Sequence, residues 1–435
     1  MTKRMHLISF NMHSSINHSV MSWADPEDER LEGLASFDHW KRLARTLERG
    51  CFDAMFFADT PGGFDRYKES ADDYIRYGVC WPCHDPMALA GVMLAETKHL
   101  GLAVTLSTSG TYPYMTVRRL SSLDYLSGGR VGWNIVSGHL RAEHRALGLA
   151  QLEHDQRYDH ADEYMDICYA LWGGIKPGAV EADKQTGIYA DPGKVDVVDY
   201  SGKYLSCRAV PPTLPSAQDR PVLFQAGSSG RGQRFAVKHS DVVFAIQPRA
   251  SEMTRFVKKL EETSAAAGRA EAPKVVFGIQ CILGGTEAEA KRKQADMRDR
   301  IPIDAALSRM SGTLGIDFSK MDLDQRLGGN ETQASRGMLE MLANLTGDGN
   351  ATIRDAARQF GASTGMRQVV GTPEQVADQL EALWRESGCH GFNITPATNT
   401  KSIEDFVDHV VPRLQEKGVF RREYESTTLR GNLAN

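Results

Sequence analysis

The string Val222-Leu-Phe-Gln-Ala-Gly-Ser-Ser-Gly-Arg-Gly-Gln233 carries the most specific chemistry in this 435-residue chain. A short apolar run gives way to Gly227, Ser228 and Ser229, and a helical pattern then runs to His239. Small residues and hydroxyls at a strand-to-helix turn let backbone N–H groups and serine oxygens approach a phosphate. The helix dipole adds about half a positive charge at the same point. A tight turn with a serine N-cap would use the same residues, and local sequence leaves both readings standing.

Two further stretches hold groups able to move protons or grip an anion. Ser137-Gly-His-Leu-Arg-Ala-Glu-His144 places His139, Arg141 and His144 just beyond an apolar run, as proton-handling groups, as anion partners or as a solvated helix face. His154-Asp-Gln-Arg-Tyr158 precedes an amphipathic helix expected over Tyr164–Trp172, where His154 and Tyr158 either face a site or merely cap and pack. Cys80-Trp-Pro-Cys-His84 formally matches the haem-attachment and redox C-x-x-C patterns. It lacks the exported context of the first and the strand–helix setting of the second, so two packed thiols ahead of a proline-initiated helix are expected. Neither Cys51 nor His99 supplies a recognised zinc spacing, and no metal site is expected. The serine-hydrolase elbow, the His-Glu-x-x-His pair and the Walker loop are all missing from the sequence.

These residues need a frame, and the sequence repeats one. Eight short apolar runs recur: Met5–Phe10, Ala54–Asp59, Gly101–Ser107, Arg130–Val136, Val222–Ala226, Asp241–Gln247, Val275–Cys281 and Gly391–Thr395. Continuous runs such as Val242-Val-Phe-Ala245 suit parallel strands covered on both faces. Between them lie helical patterns. Phe37, Trp40, Ala44 and Leu47 make one apolar stripe, Asp85-Pro86 opens another helix at Met87, and Thr372-Pro373 caps a third. Eight strand–helix units predict a closed (β/α)₈ TIM barrel, a single α/β domain over 1–435. The surplus over about 250 residues falls in insertions near 174–220 and 290–370. Sites in such barrels collect at the C-terminal strand ends, which here present Asn11 and His13, Asp59 and Thr60, Thr105, Ser107 and Thr108, Ser137 and His139, Gly227 to Ser229, Gln247 and Thr395.

Composition narrows the partners. A net charge of -5 with no basic run gives no footprint for nucleic acid. The most apolar long stretch, Met87–Leu106, is broken by Glu96, Lys98 and His99, so no membrane span is expected; the apolar run at Met5–Phe10 is too short for a signal peptide. Seven scattered cysteines read as reduced thiols, which makes the cytoplasm the expected compartment.

Seven stretches in order carry a resemblance. They are Phe56-Phe-Ala-Asp59, Ser121 through Val136 with its Ser-Gly-Gly-Arg-Val-Gly-Trp-Asn core, His154 through Tyr164, Gln225-Ala-Gly-Ser-Ser229, Val370-Gly-Thr-Pro-Glu-Gln-Val-Ala-Asp378, Gly391-Phe-Asn-Ile394 and Phe420 through Leu429. In these the chain resembles the bacterial-luciferase-like flavin-dependent monooxygenases, in the group with the nitrilotriacetate, EDTA, dimethyl-sulfide and dibenzothiophene-sulfone monooxygenases. The resemblance implies a luciferase-like TIM barrel that uses reduced FMN (FMNH2) from a separate NAD(P)H:flavin reductase. With O₂ it would oxidise or cleave a small organic substrate through a flavin (hydro)peroxide, as a homodimer or homotetramer. It implies that Asp59 and Thr105 lie by the isoalloxazine and ribityl chain, and that His154, Tyr158, Ser228 and Ser229 hold the phosphate end, where Ser137 and Gly227 also border the cradle. His139 is the first candidate for handling a proton or orienting substrate, and His13 the second. The chain departs from its relatives at Ser137-Gly-His-Leu140 and Thr108-Ser-Gly-Thr-Tyr-Pro113, so the substrate pocket is its own. Two other functions fit a barrel of this kind: a deazaflavin-dependent oxidoreductase, and a non-redox enzyme for a phosphate ligand. No strand ends in a lysine suited to a Schiff base, which weakens an aldolase.

Overall fold

The computed structural model describes residues 4–227 and 229–434. Its strands are β1 (His6–Asn11), β2 (Ala54–Phe57), β3 (Gly101–Ser107), β4 (Val131–Val136), β5 (Val198–Ser201), β6 (Ser206–Ala209), β7 (Val222–Gln225), β8 (Val242–Ala245), β9 (Lys274–Leu283), β10 (Arg367–Gly371) and β11 (Gly391–Pro396). Eight of them pair in parallel in the order β9-β11-β1-β2-β3-β4-β7-β8, and β8 returns to β9 through Val242↔Lys274, closing the barrel. These are the eight apolar runs of the sequence, with ends moved by a residue or two. Strands two and six stop earlier, at Phe57 and Ala245, because Ala58-Asp59 and Ile246-Gln247 already turn over the barrel rim.

Alternation along each strand divides the core into two layers. Leu7, Met55, Leu102, Trp133, Leu223 and Phe277 face the outer helices. Phe10, Phe56, Phe224 and Phe244 face inward, with ring centroids 5.6–6.1 Å apart, and plug the barrel from within. Gly132 leaves room for that plug, since a Cβ there would come within 2.7 Å of the Phe224 ring. The interior is therefore solid, and a ligand can enter only above the aromatic layer, at the C-terminal ends of the strands.

The helices follow from local signals. Ser36 caps Phe37–Arg49; Thr372 and Gln375 form a capping box on Pro373–Ser387, with Pro373 in the first turn. The helix expected over Tyr164–Trp172 instead runs from His154 to Gly173, so its first turn contains His154 and Tyr158. Its early polar positions interrupt the apolar stripe, yet nothing between 154 and 164 breaks a helix. One strand was not expected: β10 lies parallel to Ile279–Leu283 of β9, outside the closed ring. It is short and bounded by Gly365 and Gly371, so it reads as the tail of an insertion.

The two long insertions take different positions. After the helix His154–Gly173, the chain makes an antiparallel β5–β6 hairpin on the flank. Between β9 and β10, the helices Ile303–Leu314, Arg336–Ala343 and Ile353–Ser363 gather their own apolar cluster, which includes Leu314, Phe318 and Phe360, and roof the C-terminal mouth, while Glu287–Asp299 stays outside that cluster.

Candidate active site

Under that roof is a cavity of about 210 Å³, walled mostly by apolar side chains such as Phe10, Phe56, Phe64, Phe244, Met338 and Met341. Its polar lining includes Asp59, Thr105, Asn134, His139, His18 and Arg309. A second cavity of about 140 Å³ holds Ser137, His154, Arg157, Tyr158, Gly227 and Ser229. Both share Val136, His139, Ala226, Ser335 and Gly337, so they are two chambers of one site, one apolar and one polar.

In the apolar chamber, hydrogen bonds fix what each group can offer. Thr105 Oγ1 donates to the Phe57 carbonyl at 2.7 Å and accepts from Asn134 Nδ2 at 2.8 Å. Its donor is thereby spent. The same bond orients the Asn134 amide and leaves Oδ1 buried without a partner, an acceptor waiting for a ligand N–H. Asp59 Oδ1 accepts from the Thr60 N–H at 2.8 Å and from Cys83 Sγ at 3.5 Å. Burial outweighs those two bonds and pushes the Asp59 carboxyl up to about 6, with the Asp85 and Glu143 carboxylates adding to the rise.

His139 reaches the cavity because Gly138 turns the chain after β4. Gly138 has φ +65, and a Cβ there would stand 2.7 Å from Ser109 Oγ. The ring's partial exposure is to the cavity. Desolvation, with smaller effects from Arg157 and His144, brings its pKa down to about 4, so His139 is neutral at neutral pH and carries one N–H and one bare nitrogen.

The polar chamber sets two helix N-termini beside donor side chains, an arrangement that can take an anion. The helices Gly230–His239 and His154–Gly173 both begin at its wall. Ser229 caps the first, accepting from the Gly232 N–H at 3.0 Å, and Tyr158 hydrogen-bonds to Ser229 and Ser137. A Cβ on Gly232 would meet the Tyr158 hydroxyl at 2.8 Å, and one on Gly227 would overlap the Gln225 amide, so neither position has room for a side chain, and the Gly227 N–H donates to Gln225 Oε1 at 2.7 Å. Arg157 is buried, donates only to the carbonyls of Leu152, Gln333 and Ala334, and leaves its Nε–H buried and unpartnered. Ser228 lies outside the described residues.

Asp59, Thr105 and His139 thus meet in one chamber, and Ser137, His154, Tyr158, Gly227 and Ser229 in the other. His13 joins neither. Its Nε2 lies 2.9 Å from the Leu34 carbonyl, and its ring packs against Trp40 and His84. The loop after β1 turns His18 to the cavity instead. Arg141 pairs with Glu69 and Asp65 at 3.0 and 3.5 Å, and buried His144 lies 3.1 Å from the Leu140 carbonyl, which removes both as free anion partners. The Cys80 and Cys83 thiols are free, and among the described residues no cluster of three or more His, Cys, Asp or Glu could hold a metal ion. Asn134 and Arg157 stand inside the strings that carry the resemblance, so their positions were available to sequence reading. Arg309 carried no such signal.

Comparison with known proteins agrees with this geometry. The family model described as luciferase-like monooxygenase matches residues 12–391. The chain is 37% identical over 438 residues to the long-chain alkane monooxygenase of Geobacillus thermodenitrificans (strain NG80-2), covering 100% of this chain and 94% of that one. It is 35% identical over 436 residues to the dimethyl-sulfide monooxygenase of Hyphomicrobium sulfonivorans, covering 100% and 91%. Among solved structures it superimposes with a TM-score of 0.92 on a riboflavin lyase determined with modified FMN and riboflavin, at 32% identity over 100% of this chain and 96% of that one.

Proposed function

Because the chain belongs to the luciferase-like monooxygenase family, we propose that it is the oxygenase component of a two-component system, taking reduced FMN from a separate NAD(P)H:flavin reductase and oxidising a small organic substrate with O₂. The observation that carries this reading is the two-chambered site, which has the polarity of a flavin nucleotide: an apolar chamber for the ring and substrate, a cationic, glycine-lined chamber for the phosphate.

The residues present fit that nucleotide. Ser229, Tyr158, His154 and Arg157 would hold the phosphate, with Gly227 beside them in the chamber wall. Asn134 Oδ1 would accept a ring N–H, and Thr105 keeps that amide in place. Bound reduced FMN supplies the electron pair that lets O₂ react with the substrate. The protein's part is to exclude water, which the aromatic layer and the roof do, and to manage protons. Neutral His139 can receive a proton at its bare nitrogen or donate from the other, and Asp59 holds or releases a proton within reach of neutral pH.

We also read the chain as one barrel domain over 1–435 that works in the cytoplasm as a homodimer or homotetramer. Seven free thiols support that compartment, and exposed Ile188, Tyr189, Val197 and Val210 in the hairpin insertion support the assembly. No helix among the described residues is long and apolar enough to cross a membrane.

The test is a panel of small organic substrates incubated with protein, FMN, NADH and a generic flavin reductase, with ¹⁸O₂ and a peroxide-scavenged control. Label in a product, or O₂-dependent cleavage, is expected only when protein and reductase are both present. Product that forms without O₂ overturns the reading. His139→Ala is expected to slow product formation while leaving FMN affinity within about twofold.

A further inference from the structure

The apolar chamber contains a charge that the chemistry above does not use. Arg309, on the roof helix Ile303–Leu314, is only 4% exposed and lines the cavity. It donates from Nη1 to the His18 carbonyl, and from Nη2 to the Asn17 carbonyl at 3.2 Å and to His18 Nδ1 at 3.1 Å. Its guanidinium rests 5.8 Å from the centre of the Phe360 ring. Among the described residues no carboxylate pairs with it. Two other buried arginines do have a carboxylate, Arg30 at 3.8 Å from Asp28 and Arg421 bonded to Asp53; Arg130 and Arg157 have none among the described residues and, like Arg309, donate to carbonyls, but of these only Arg309 lines the apolar chamber. A buried guanidinium keeps its charge, and a charge left without a counter-ion in apolar surroundings is costly.

His18 adds a second, independent sign. An arginine can only donate, so His18 Nδ1 accepts from it, and the Thr364 hydroxyl, 2.9 Å from the same nitrogen, donates there as well; the ring proton then sits on Nε2. Burial and the neighbouring guanidinium keep the ring neutral. The side chain is 7% exposed, and Nε2 is buried with no partner. A cation without a counter-ion and an N–H without an acceptor thus stand side by side on one wall of the chamber.

We propose that Arg309 and His18 form the recognition point for an acidic group on the substrate, a carboxylate or sulfonate, so that this enzyme selects small organic anions. The proposal rests on the monooxygenase reading for the chemistry, though not for the binding. Three uncharged donors would hold the loop after β1 equally well, so the clamp alone does not call for a guanidinium. Three of the five guanidinium N–H groups are spent on the loop after β1, so an oxyanion would take a remaining N–H of Arg309 together with the His18 Nε2–H, and the apolar walls leave room for a short carbon skeleton with its reacting atom away from the acid. The same cation could instead balance the charge of the reduced flavin ring, and the experiment separates the two.

Isothermal titration of hexanesulfonate, hexanoate and uncharged hexanamide is run against the wild-type chain, both flavin-free and loaded with FMN. Preference for the anions of about tenfold or more is expected in wild type. Arg309→Met should abolish it while FMN affinity stays within about twofold, and Arg309→Lys should keep part of it. Equal binding of anion and amide by wild type overturns the proposal and leaves Arg309 a structural clamp; this arm needs no variant to fold. Loss of FMN affinity in Arg309→Met with anion preference intact overturns it in favour of the flavin charge. Should FMN fail to bind at all, the monooxygenase reading falls, yet anion preference in the flavin-free chain would still support this site.

Discussion

The two insertions differ in length, the one between β9 and β10 being much the longer, and do opposite things. The segment between β9 and β10 turns its polar contacts inward: Ser19 Oγ donates to the Ala362 carbonyl at 2.9 Å, the Val20 N–H to Gly361 at 2.8 Å, and Arg309 to the loop after β1. The β5–β6 hairpin packs Val198 and Leu205 on the outer core and is tied by one carboxylate, Glu163, which accepts from the N–H groups of Lys203, Tyr204 and Leu205, while the ion pairs of this insertion, Lys176–Asp196 and Arg208–Asp199, are exposed. Buried polar contacts specify a geometry, whereas exposed ones contribute little. The first insertion is thus built to keep a roof in register over the cavity, and the second only to keep a hairpin against a helix.

The comparison is broken most severely by emptying the roof's core. Phe360 is fully buried in the roof cluster, and Phe360→Ala should cost about 3–5 kcal/mol. Calorimetry should show the loss, and stopped-assay peroxide measurement should show O₂ consumption running ahead of product. Val198→Ala in the hairpin should leave that coupling intact; equal uncoupling in both variants would erase the distinction.

Next come the titrating groups beneath the roof, whose effects have opposite signs. Asp59 rises from 3.8 to about 6 on folding, so the folded chain holds a proton that the unfolded chain has released, and stability falls as pH climbs through that window. Asp59→Asn should therefore stabilise by about 1–3 kcal/mol near pH 8, with the gain fading below pH 4. His139 falls from 6.5 to about 4, so the unfolded chain takes up its proton first and stability declines as pH drops through that window. His139→Gln should stabilise near pH 5 and be neutral near pH 8. Chemical denaturation across pH checks both, and a pH-independent difference for either variant would mean that the chamber does not desolvate it.

Smaller still is the effect of Ser229→Ala, outside both insertions. Losing the cap on Gly230–His239 should cost about 1 kcal/mol. Losing the Tyr158 bond as well should raise the FMN dissociation constant by about tenfold in a fluorescence titration. Unchanged affinity would remove the serine corner from the phosphate chamber.

How much of this was legible follows the same division. The barrel was readable because buried parallel strands require unbroken apolar runs such as Val242–Ala245, and the turn at Gly227 and Ser229 because small residues there mark the passage from a strand to a capped helix. β10 was not, because a five-residue strand added outside a closed ring has no periodicity of its own. Nor was the exchange of His13 for His18, since which histidine faces the cavity depends on how the loop after β1 is tied by Asn17, whose Oδ1 accepts from the Met12 N–H at 2.9 Å and from Arg30 at 2.9 Å. Arg309 was hidden for a like reason: a single arginine among the small and apolar residues of Ile303–Leu314 looks solvated until a roof folds it inward.

The smallest effect on chemistry belongs to the exposed loop that precedes the hairpin in the same insertion. Ile188 and Tyr189 are exposed and make no contact with either chamber. If this loop is what a second copy covers, Ile188→Lys together with Tyr189→Lys should lower the mass seen by sedimentation velocity. Turnover per chain should stay within about twofold, because each site is complete within one barrel. Unfolding free energy of the separated chain should change by less than about 0.5 kcal/mol, as for any exposed position. A drop in turnover larger than the drop in mass would show that the loop reaches a neighbour's site, and the contrast between a working roof and a passive flank would then hold only within a single chain.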